Sequence, residues 1–300
     1  MKFNEDLAAI HAYLCADGCV IRNPPTQKSK YYKIDLRNTN IVLLKDFQER
    51  FYKYFGLKPN LYPGQRCQIG SKKIYLILAK EFGSFYSREW RMPNLKEKLS
   101  KVWLRTFFDC EGWVFCKTHQ NRHIGVDSVN EQGLNQVKKS IENLKIKVIK
   151  KVIKNRKMFR LLIYGKENLI RFQQEIGFIH PIKKETLEKT IDDFVEYDWN
   201  VTKEKNKLKT IMLEKARIKK PYLVRIISKE EDNLKKLSKF LNSVYSINSI
   251  KIHKMINGLG TPYFELSINK RDEIKKLTKH NLINTQELDK IDKTRFNNSI

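Results

Sequence analysis

Apolar and polar residues along this chain follow two alternating periods, that of a strand and that of a helix. Residues 32–36 alternate between apolar and polar side chains, which predicts a strand with one polar face. Leucine and phenylalanine then recur at helical spacing over residues 41–55, and Gly56 ends the predicted helix. Two short strands and another apolar helix complete a segment, residues 31–85, with the order strand, helix, two strands, helix.

The same order of elements recurs twice more, over residues 123–179 and 222–282. Only the first two copies are preceded by a predicted helix that ends in an acid and a glycine, over residues 5–16 and 99–110. The stretch before the third copy, residues 203–220, is very basic and predicts either a helix or a linker without that ending. The pattern therefore indicates three related units, of which two share an additional motif.

These repeats predict an α+β protein with three domains. Residues 1–93 and 94–199 are each expected to form one αββαββα repeat, and the two repeats are pseudo-symmetric. Residues 200–300 are expected to form a basic linker and a βαββα domain that resembles part of a repeat but has no acidic leading helix.

The two leading helices end in Asp17-Gly18 and Glu111-Gly112. Each helix carries two small residues four positions apart, on one face, where they would let the two helix backbones approach closely. These small residues are Ala12 and Ala16 in the first helix and Thr106 and Cys110 in the second. Parallel packing would bring both acids to helix C-termini, where the partial negative charge disfavours two anions. A divalent cation would stabilise them, since Mg²⁺ prefers carboxylate and carbonyl oxygens together with substrate phosphate.

The alternative is that Asp17 and Glu111 are solvated helix-end acids without a role in chemistry. A single acidic motif would favour that interpretation. Two motifs, each leading a repeat of the same architecture on a basic chain, favour a composite metal site instead.

The chain has 300 residues, with 60 Lys and Arg against 33 Asp and Glu, and a formal net charge of +27. This excess opposes compact folding by self-repulsion unless a polyanion binds, so nucleic acid is the expected partner. No apolar run approaches the ~18 residues of a membrane-spanning helix, and residues 1–6 have no signal-peptide pattern. We therefore expect a cytoplasmic protein without a membrane partner. Five cysteines, an odd number, favour free thiols.

Residues 10–18 and 104–112 resemble the paired nine-residue signature of the LAGLIDADG homing endonucleases. The segments Trp90-Arg91-Met92-Pro93 and His180-Pro181-Ile182-Lys183 are similar to segments of such proteins as well, so the resemblance covers about residues 5–195. It implies two repeats that form a DNA-binding saddle, and a monomer that cuts both strands of a long asymmetric site with Mg²⁺ or Mn²⁺.

The resemblance also implies roles for individual residues. Asp17 and Glu111 fall on the catalytic, metal-binding acid of the motif, and the backbone carbonyls of Ala16 and Cys110 on the position that can also reach the metal. Lys183 is assigned approximately to the basic residue that activates water or stabilises the phosphate. The chain departs from the pattern at position three, which is Ala12 and Thr106 in place of glycine, and at position six, which is Cys15 in the first motif and Asp109 in the second.

In such a saddle, a curved antiparallel sheet from each repeat lies in the major groove, which accommodates a two-stranded ribbon. The polar strand faces supply the predicted DNA contacts. The first sheet offers Arg22, Lys33, Asp35, Arg37 and Gln68, and the second offers Lys117, His119, Arg122, His123 and Asp127.

The sequence is compatible with three functions. The first is a site-specific endonuclease for double-stranded DNA. The second is an intron maturase that binds structured RNA on the same scaffold. The third is a DNA-binding regulator that does not cleave. In each case the third unit is expected to add nucleic-acid contacts without cutting.

Overall fold

A computed structural model describes residues 2–22, 26, 28, 31–117, 120–194, 199, 204–219, 222–256 and 262–283. The chain divides into two compact units, Met1–Phe194 and Val195–Ile300. The first unit contains two αββαββα repeats with a shared hydrophobic core, and the second unit has a core of its own. In the described residues, no helix is long and apolar enough to cross a membrane.

The first repeat has the predicted order of elements. They are α1 (Glu5–Cys15), β1 (Gly18–Arg22), β2 (Tyr32–Arg37), α2 (Ile41–Phe55), β3 (Asn60–Tyr62), β4 (Arg66–Gly70) and α3 (Lys72–Phe82). Helix α2 begins at the side-chain cap of Asn40 and ends at Gly56, whose φ of 70° suits glycine. The predicted helix end is therefore confirmed.

The second repeat has the same order and continues into one further helix. Its elements are α4 (Glu97–Glu111), β5 (Gly112–Lys117), β6 (Gln120–Ser128), α5 (Glu131–Asn143), β7 (Ile149–Ile153), β8 (Met158–Tyr164), α6 (Lys166–Glu175) and α7 (Pro181–Asp192). Pro181 at the start of α7 suits the first turn, where its missing N–H is not needed. The sequence pattern did not predict α7 as a helix.

Helices α1 and α4 pack against each other at the centre of the first unit. Every residue of α1 from Leu7 to Cys15 is buried, so this helix has no solvent face. A helix that is apolar on all sides belongs in the interior, which explains why α1 lies between its own repeat and α4. Ala12 and Thr106, two of the small residues, are among the buried side chains.

The two sheets of the first unit are antiparallel and have equivalent strand orders, β1-β2-β4-β3 and β5-β6-β8-β7. Ile34 and Leu36 on β2, and Ile124 and Val126 on β6, are fully buried and face the helices. Because strand side chains alternate between faces, the residues between them lie on the opposite face of each sheet. The predicted saddle surfaces are therefore the faces without helices.

The second unit contains the predicted βαββα series and, before it, one further helix and strand. The elements are α8 (Lys205–Lys215), β9 (Arg217–Lys219), β10 (Leu223–Ser228), α9 (Glu231–Tyr245), β11 (Ile250–Ile256), β12 (Pro262–Ile268) and α10 (Arg271–Lys279). The stretch that the sequence left open between helix and linker forms α8. With strand order β11-β12-β10-β9, this unit is a complete third αββαββα repeat.

A buried polar contact links the two leading helices. The Trp103 Nε1–H donates a hydrogen bond to His11 Nδ1 at 3.1 Å, and the Cys15 Sγ lies 3.4 Å from the same nitrogen. Burial lowers the pKa of His11 from 6.5 to about 3, so the imidazole is neutral and accepts the indole proton.

This contact predicts a pH-dependent stability. His11 binds a proton below pH 6.5 only in the unfolded chain, so its contribution is lost as the pH falls from 6.5 towards 3. At pH 5 we expect about 2 kcal/mol less stability than at pH 7.5 from this residue alone. His11→Gln keeps an acceptor for Trp103 without this titration. Urea unfolding of both proteins at the two pH values should show the difference, and equal pH dependence would contradict it.

Candidate catalytic centre and nucleic-acid interface

The glycine in each acid-glycine pair is required where the helix turns directly into the first strand. A Cβ on Gly18 would lie 2.5 Å from the Leu14 Cα, and a Cβ on Gly112 would lie 2.7 Å from the Phe108 carbonyl oxygen. No other residue fits such an approach without a shift of the backbone. The turn holds each acid at the junction of helix and sheet.

Asp17 is held by the end of β2. Its carboxylate accepts a hydrogen bond of 2.7 Å from the Asn38 side-chain amide, and its backbone carbonyl accepts one of 3.1 Å from the Arg37 N–H. Asn38 also accepts the N–H of Asn40, the residue that caps α2. The orientation of Asp17 is thus fixed by the β2–α2 connection of its own repeat.

Glu111 lies close to Asp17. Burial raises the pKa of the Glu111 carboxyl to about 7, and the negative charge of Asp17 adds to that shift. The charges of the two acids therefore interact at the ends of the paired helices. A half-buried Glu111 carboxyl that resists ionisation beside a second acid is a local environment in which a cation is favoured.

The Lys183 ammonium lies at the end of α4. Its Nζ donates to the carbonyl oxygens of Phe108, Asp109 and Cys110 at 3.2, 2.5 and 3.1 Å. Burial lowers the pKa of Lys183, and nearby acidic groups, including Asp109 and Glu111, oppose that shift. A positive charge at a helix C-terminus is stabilising. The structure therefore places Lys183 beside the two acids.

The position of Lys183 depends on two contacts that the sequence did not reveal. The buried carboxylate of Asp109 accepts the backbone N–H groups of Ile179 and His180, which precede α7. The His180 ring caps α7 and contacts the Asn40 amide of the first repeat at 3.1 Å. These contacts join both repeats around the acids. The sequence shows Asp109 at position six of the second motif, but it does not show that Asp109 contacts Ile179 and His180.

The residues present suit a hard divalent cation. The candidate ligands are the Asp17 and Glu111 carboxylates and the Ala16 and Cys110 carbonyls, and the Cys110 carbonyl also accepts a hydrogen bond from Lys183. No cluster of three or more His, Cys, Asp or Glu side chains in the described part of the chain could hold a metal. Such a sparse set is typical of Mg²⁺, which keeps several waters and uses one or two carboxylates plus substrate phosphates.

The first sheet presents its predicted DNA contacts around one buried acid. The Asp35 carboxylate is fully buried and pairs with Lys33 at 2.8 Å and Arg37 at 3.2 Å. Arg37 is 68% exposed, so its guanidinium remains accessible. Gln68 lies opposite Asp35 on β4 and Arg22 is exposed at the end of β1. Asp35 thus orients two cations.

The second sheet is more aromatic on the corresponding face. Asp127 forms a two-point ion pair with Arg160, with both contacts at 2.7 Å. The His123 ring lies between Phe115 and Tyr164, with centroid distances of 5.2 and 5.1 Å. These contacts leave less unpaired charge on this face than the strand pattern suggests.

Arg122 is engaged within the protein. Its guanidinium donates to the Asp193 carbonyl and carboxylate at 2.6 and 3.1 Å and lies 3.8 Å from the centroid of the Phe194 ring. Lys117 lies at the end of β5. His119 lies outside the described residues.

Comparison with known families bears directly on the second repeat. Residues 99–177 match the sequence profile of the LAGLIDADG-like domain. This chain carries a LAGLIDADG-like domain. The predicted family resemblance is confirmed. The matched segment begins within α4, includes Glu111 and extends just past α6, and the first repeat has the same element and strand order as this LAGLIDADG-like domain.

Several solved structures are similar to the LAGLIDADG-like fold of this chain. I-DmoI in complex with DNA and Mn is 16% identical, with 57% of this chain and 97% of that chain covered at a TM-score of 0.44. I-DmoI in complex with DNA and Ca is 17% identical, with coverages of 61% and 99% and a TM-score of 0.46. Full-length DUF199/WhiA from Thermatoga maritima is 13% identical, with coverages of 71% and 67% and a TM-score of 0.43. No curated protein sequence matches the chain.

Proposed function

We propose that this chain is a site-specific endonuclease that hydrolyses phosphodiesters on both strands of double-stranded DNA, with Mg²⁺ or Mn²⁺ at Asp17 and Glu111. One observation carries the proposal: α1 and α4 pack against each other and each ends at or just before an acid, Asp17 or Glu111, where burial, with the charge of Asp17 adding to it, raises the pKa of Glu111. A bound divalent ion would relieve this repulsion, polarise a phosphate and lower the pKa of a bound water.

The other residues of the centre have supporting roles in this proposal. Asn38 orients the Asp17 carboxylate, and Lys183 places a positive charge where negative charge develops on the phosphate. The two sheet faces differ in their side chains, so they suit two different half-sites of an asymmetric target. Because one chain supplies both acids, we propose that it acts as a monomer. We also propose that it acts in the cytoplasm.

A cleavage selection tests the proposal. A randomised duplex library is incubated with the full chain in Mg²⁺, and in parallel with EDTA, and cleaved molecules are sequenced. We expect one family of long, asymmetric sites, cut on both strands, in the Mg²⁺ sample alone. Absence of cleavage in Mg²⁺ and in Mn²⁺ overturns the proposal.

A DNA-binding protein that does not cleave is the second candidate, and the contacts of Lys183 favour it. The ammonium already compensates the negative end of α4 without a metal. Under this interpretation the chain binds duplex DNA with equal affinity in Mg²⁺ and EDTA and leaves the strands intact.

Lys183→Met tests the role of Lys183 in the nuclease proposal. If the chain is a nuclease, we expect the single-turnover cleavage rate to fall about 100-fold, since the positive charge that would stabilise the developing negative charge is lost. Duplex affinity should remain unchanged. Lys184→Met is the matched control, because this neighbouring lysine is exposed. If the control loses as much activity as Lys183→Met, the assigned role of Lys183 is wrong.

A further inference from the structure

The third repeat has a lysine where the other two have their acid. In each repeat, the second strand has two buried apolar residues separated by one position, and the residue between them pairs with the first strand. These pairs are Asp35 with Cys19, Gly125 with Trp113, and Arg225 with Arg217. Two residues before the paired first-strand position lie Asp17, Glu111 and Lys215. The third repeat is therefore complete in structure but has no acid for a metal.

Helix α8 also differs from α1 and α4 on the face that pairs them. The positions of Ala8 and Ala12 in α1 are buried. The corresponding residues of α8, Asn206 and Thr210, are polar and exposed, and Glu214 one turn later is exposed too. This face does not have the apolar side chains that pair α1 with α4. In the described residues, the third repeat keeps the sheet of the other repeats without their helix pair or acid.

Cations form a row across the open face of the third sheet. Lys251 and Arg225 each pair with Ser267, and Arg225 pairs with Arg217, so three cations lie in register across four strands. They lie on the face opposite the buried Val224 and Ile226. At roughly 4.8 Å per strand, the row extends about 14 Å, comparable to the ~12 Å width of the major groove.

In the described part of this unit, almost all acidic residues lie away from the open face of the sheet. Glu265 is the acid on the described strands, and it pairs with Arg225. The remaining acids lie on the helices or their N-caps: Glu204, Glu214, Glu230, Glu231, Asp232, Asp272 and Glu273. Lys219 is exposed on β9, where partial desolvation of its ammonium and repulsion from Arg225 lower its pKa. Like charges gathered on one face favour a polyanion there.

We propose that this face, defined by Arg217, Lys219, Arg225 and Lys251, binds double-stranded DNA as a third, non-cleaving recognition surface. The choice of duplex DNA as the ligand rests on the proposed function, in which the first two repeats bind duplex DNA. A duplex fits better than a single strand, because single-strand sites use several stacking aromatics and the described strands place one Phe, Tyr or Trp, Tyr263, on this face.

A charge-neutralising variant of the full chain tests the proposal. Arg217→Gln, Lys219→Gln and Lys251→Gln are combined, and binding to a 60-base-pair duplex of fixed sequence is measured in EDTA at several salt concentrations. Each lost phosphate contact reduces the slope of log K against log salt by about 0.9, so we expect a slope smaller by about 2 to 3. Affinity at 0.15 M salt should fall roughly tenfold or more, with the cleavage rate at saturating protein unchanged.

The matched control removes three lysines from the helices instead: Lys236→Gln, Lys239→Gln and Lys275→Gln. These residues are exposed on α9 and α10. We expect the control to keep the slope within one unit of the parent. Equal losses in both variants would show a general charge effect and overturn the proposal, and so would loss of single-stranded RNA binding with duplex binding intact. Because binding is measured without cleavage, a chain that never cuts still tests this surface.

Discussion

Replacing Asp17 with Asn, or Glu111 with Gln, should lower the rate of double-strand cleavage about 1000-fold, equivalent to about 4 kcal/mol of transition-state stabilisation. Both substitutions keep the shape of the side chain and remove its negative charge. Asn at position 17 can still bond Asn38, so the β2–α2 connection should stay in place. The loss should therefore arise from the metal site and leave the fold intact.

The measurement is single-turnover cleavage of the selected site at saturating protein and Mg²⁺, with duplex affinity determined separately in Ca²⁺ or EDTA. Glu142→Gln is the matched control, since this glutamate lies on α5 and pairs with Lys138 at the surface. The control should cleave at the parental rate. An Asp17→Asn protein that cuts as fast as the parent removes the basis for the proposed mechanism.

The sequence predicted the repeated architecture well, because apolar residues recur every second position in the strands and every three to four positions in the helices. Helix α2 was predicted with its observed ends from the helical spacing of its apolar residues and from Gly56, and the structure adds the Asn40 cap at its start. Helix α7 was not predicted. Its buried residues are few, Leu187 and Thr190, so its position is set by Pro181 and by contacts to Asp109 that no local pattern contains.

The candidate site was predictable to the extent that it depends on local motifs. Asp17 and Glu111 could be identified because each ends a helix beside a glycine. The contact between Asn40 and His180 could not, because the two residues are separated by 140 positions and belong to different repeats. Strand alternation placed Asp35 on the sheet face, but only the structure shows that Lys33 and Arg37 both pair with it.

The third repeat, too, has features that the sequence pattern predicts and features that only the structure shows. Its strands and helices follow from periodicity, yet the equivalence of Lys215 with the two acids follows only from strand register. Lys215 at the position of the two acids shows that a basic sheet and an acidic helix end are separate properties of a repeat. A repeat can keep the first without the second, so binding and cleavage belong to different parts of this chain under the proposed function.

Replacing Asp109 with Ala should destabilise the first unit by about 2 to 3 kcal/mol, because the N–H groups of Ile179 and His180 lose their buried acceptor. It should also reduce cleavage, since α7 carries Lys183. Asp109→Asn is the informative comparison: Oδ1 accepts both N–H groups at 3.0 and 2.9 Å, and Oδ2 adds only a longer contact of 3.3 Å to Ile179, so an Asn with its oxygen at the Oδ1 position retains most of the stability.

Urea unfolding at pH 7.5, followed by tryptophan fluorescence, measures the stability of both variants. If Asp109 acts by holding the start of α7, Asn should be close to the parent and Ala well below it, with cleavage following the same order. Equal losses for Asn and Ala would mean that the carboxylate charge matters more than the acceptor geometry. In that case Asp109 stabilises the Lys183 ammonium electrostatically, and its contacts with Ile179 and His180 are secondary.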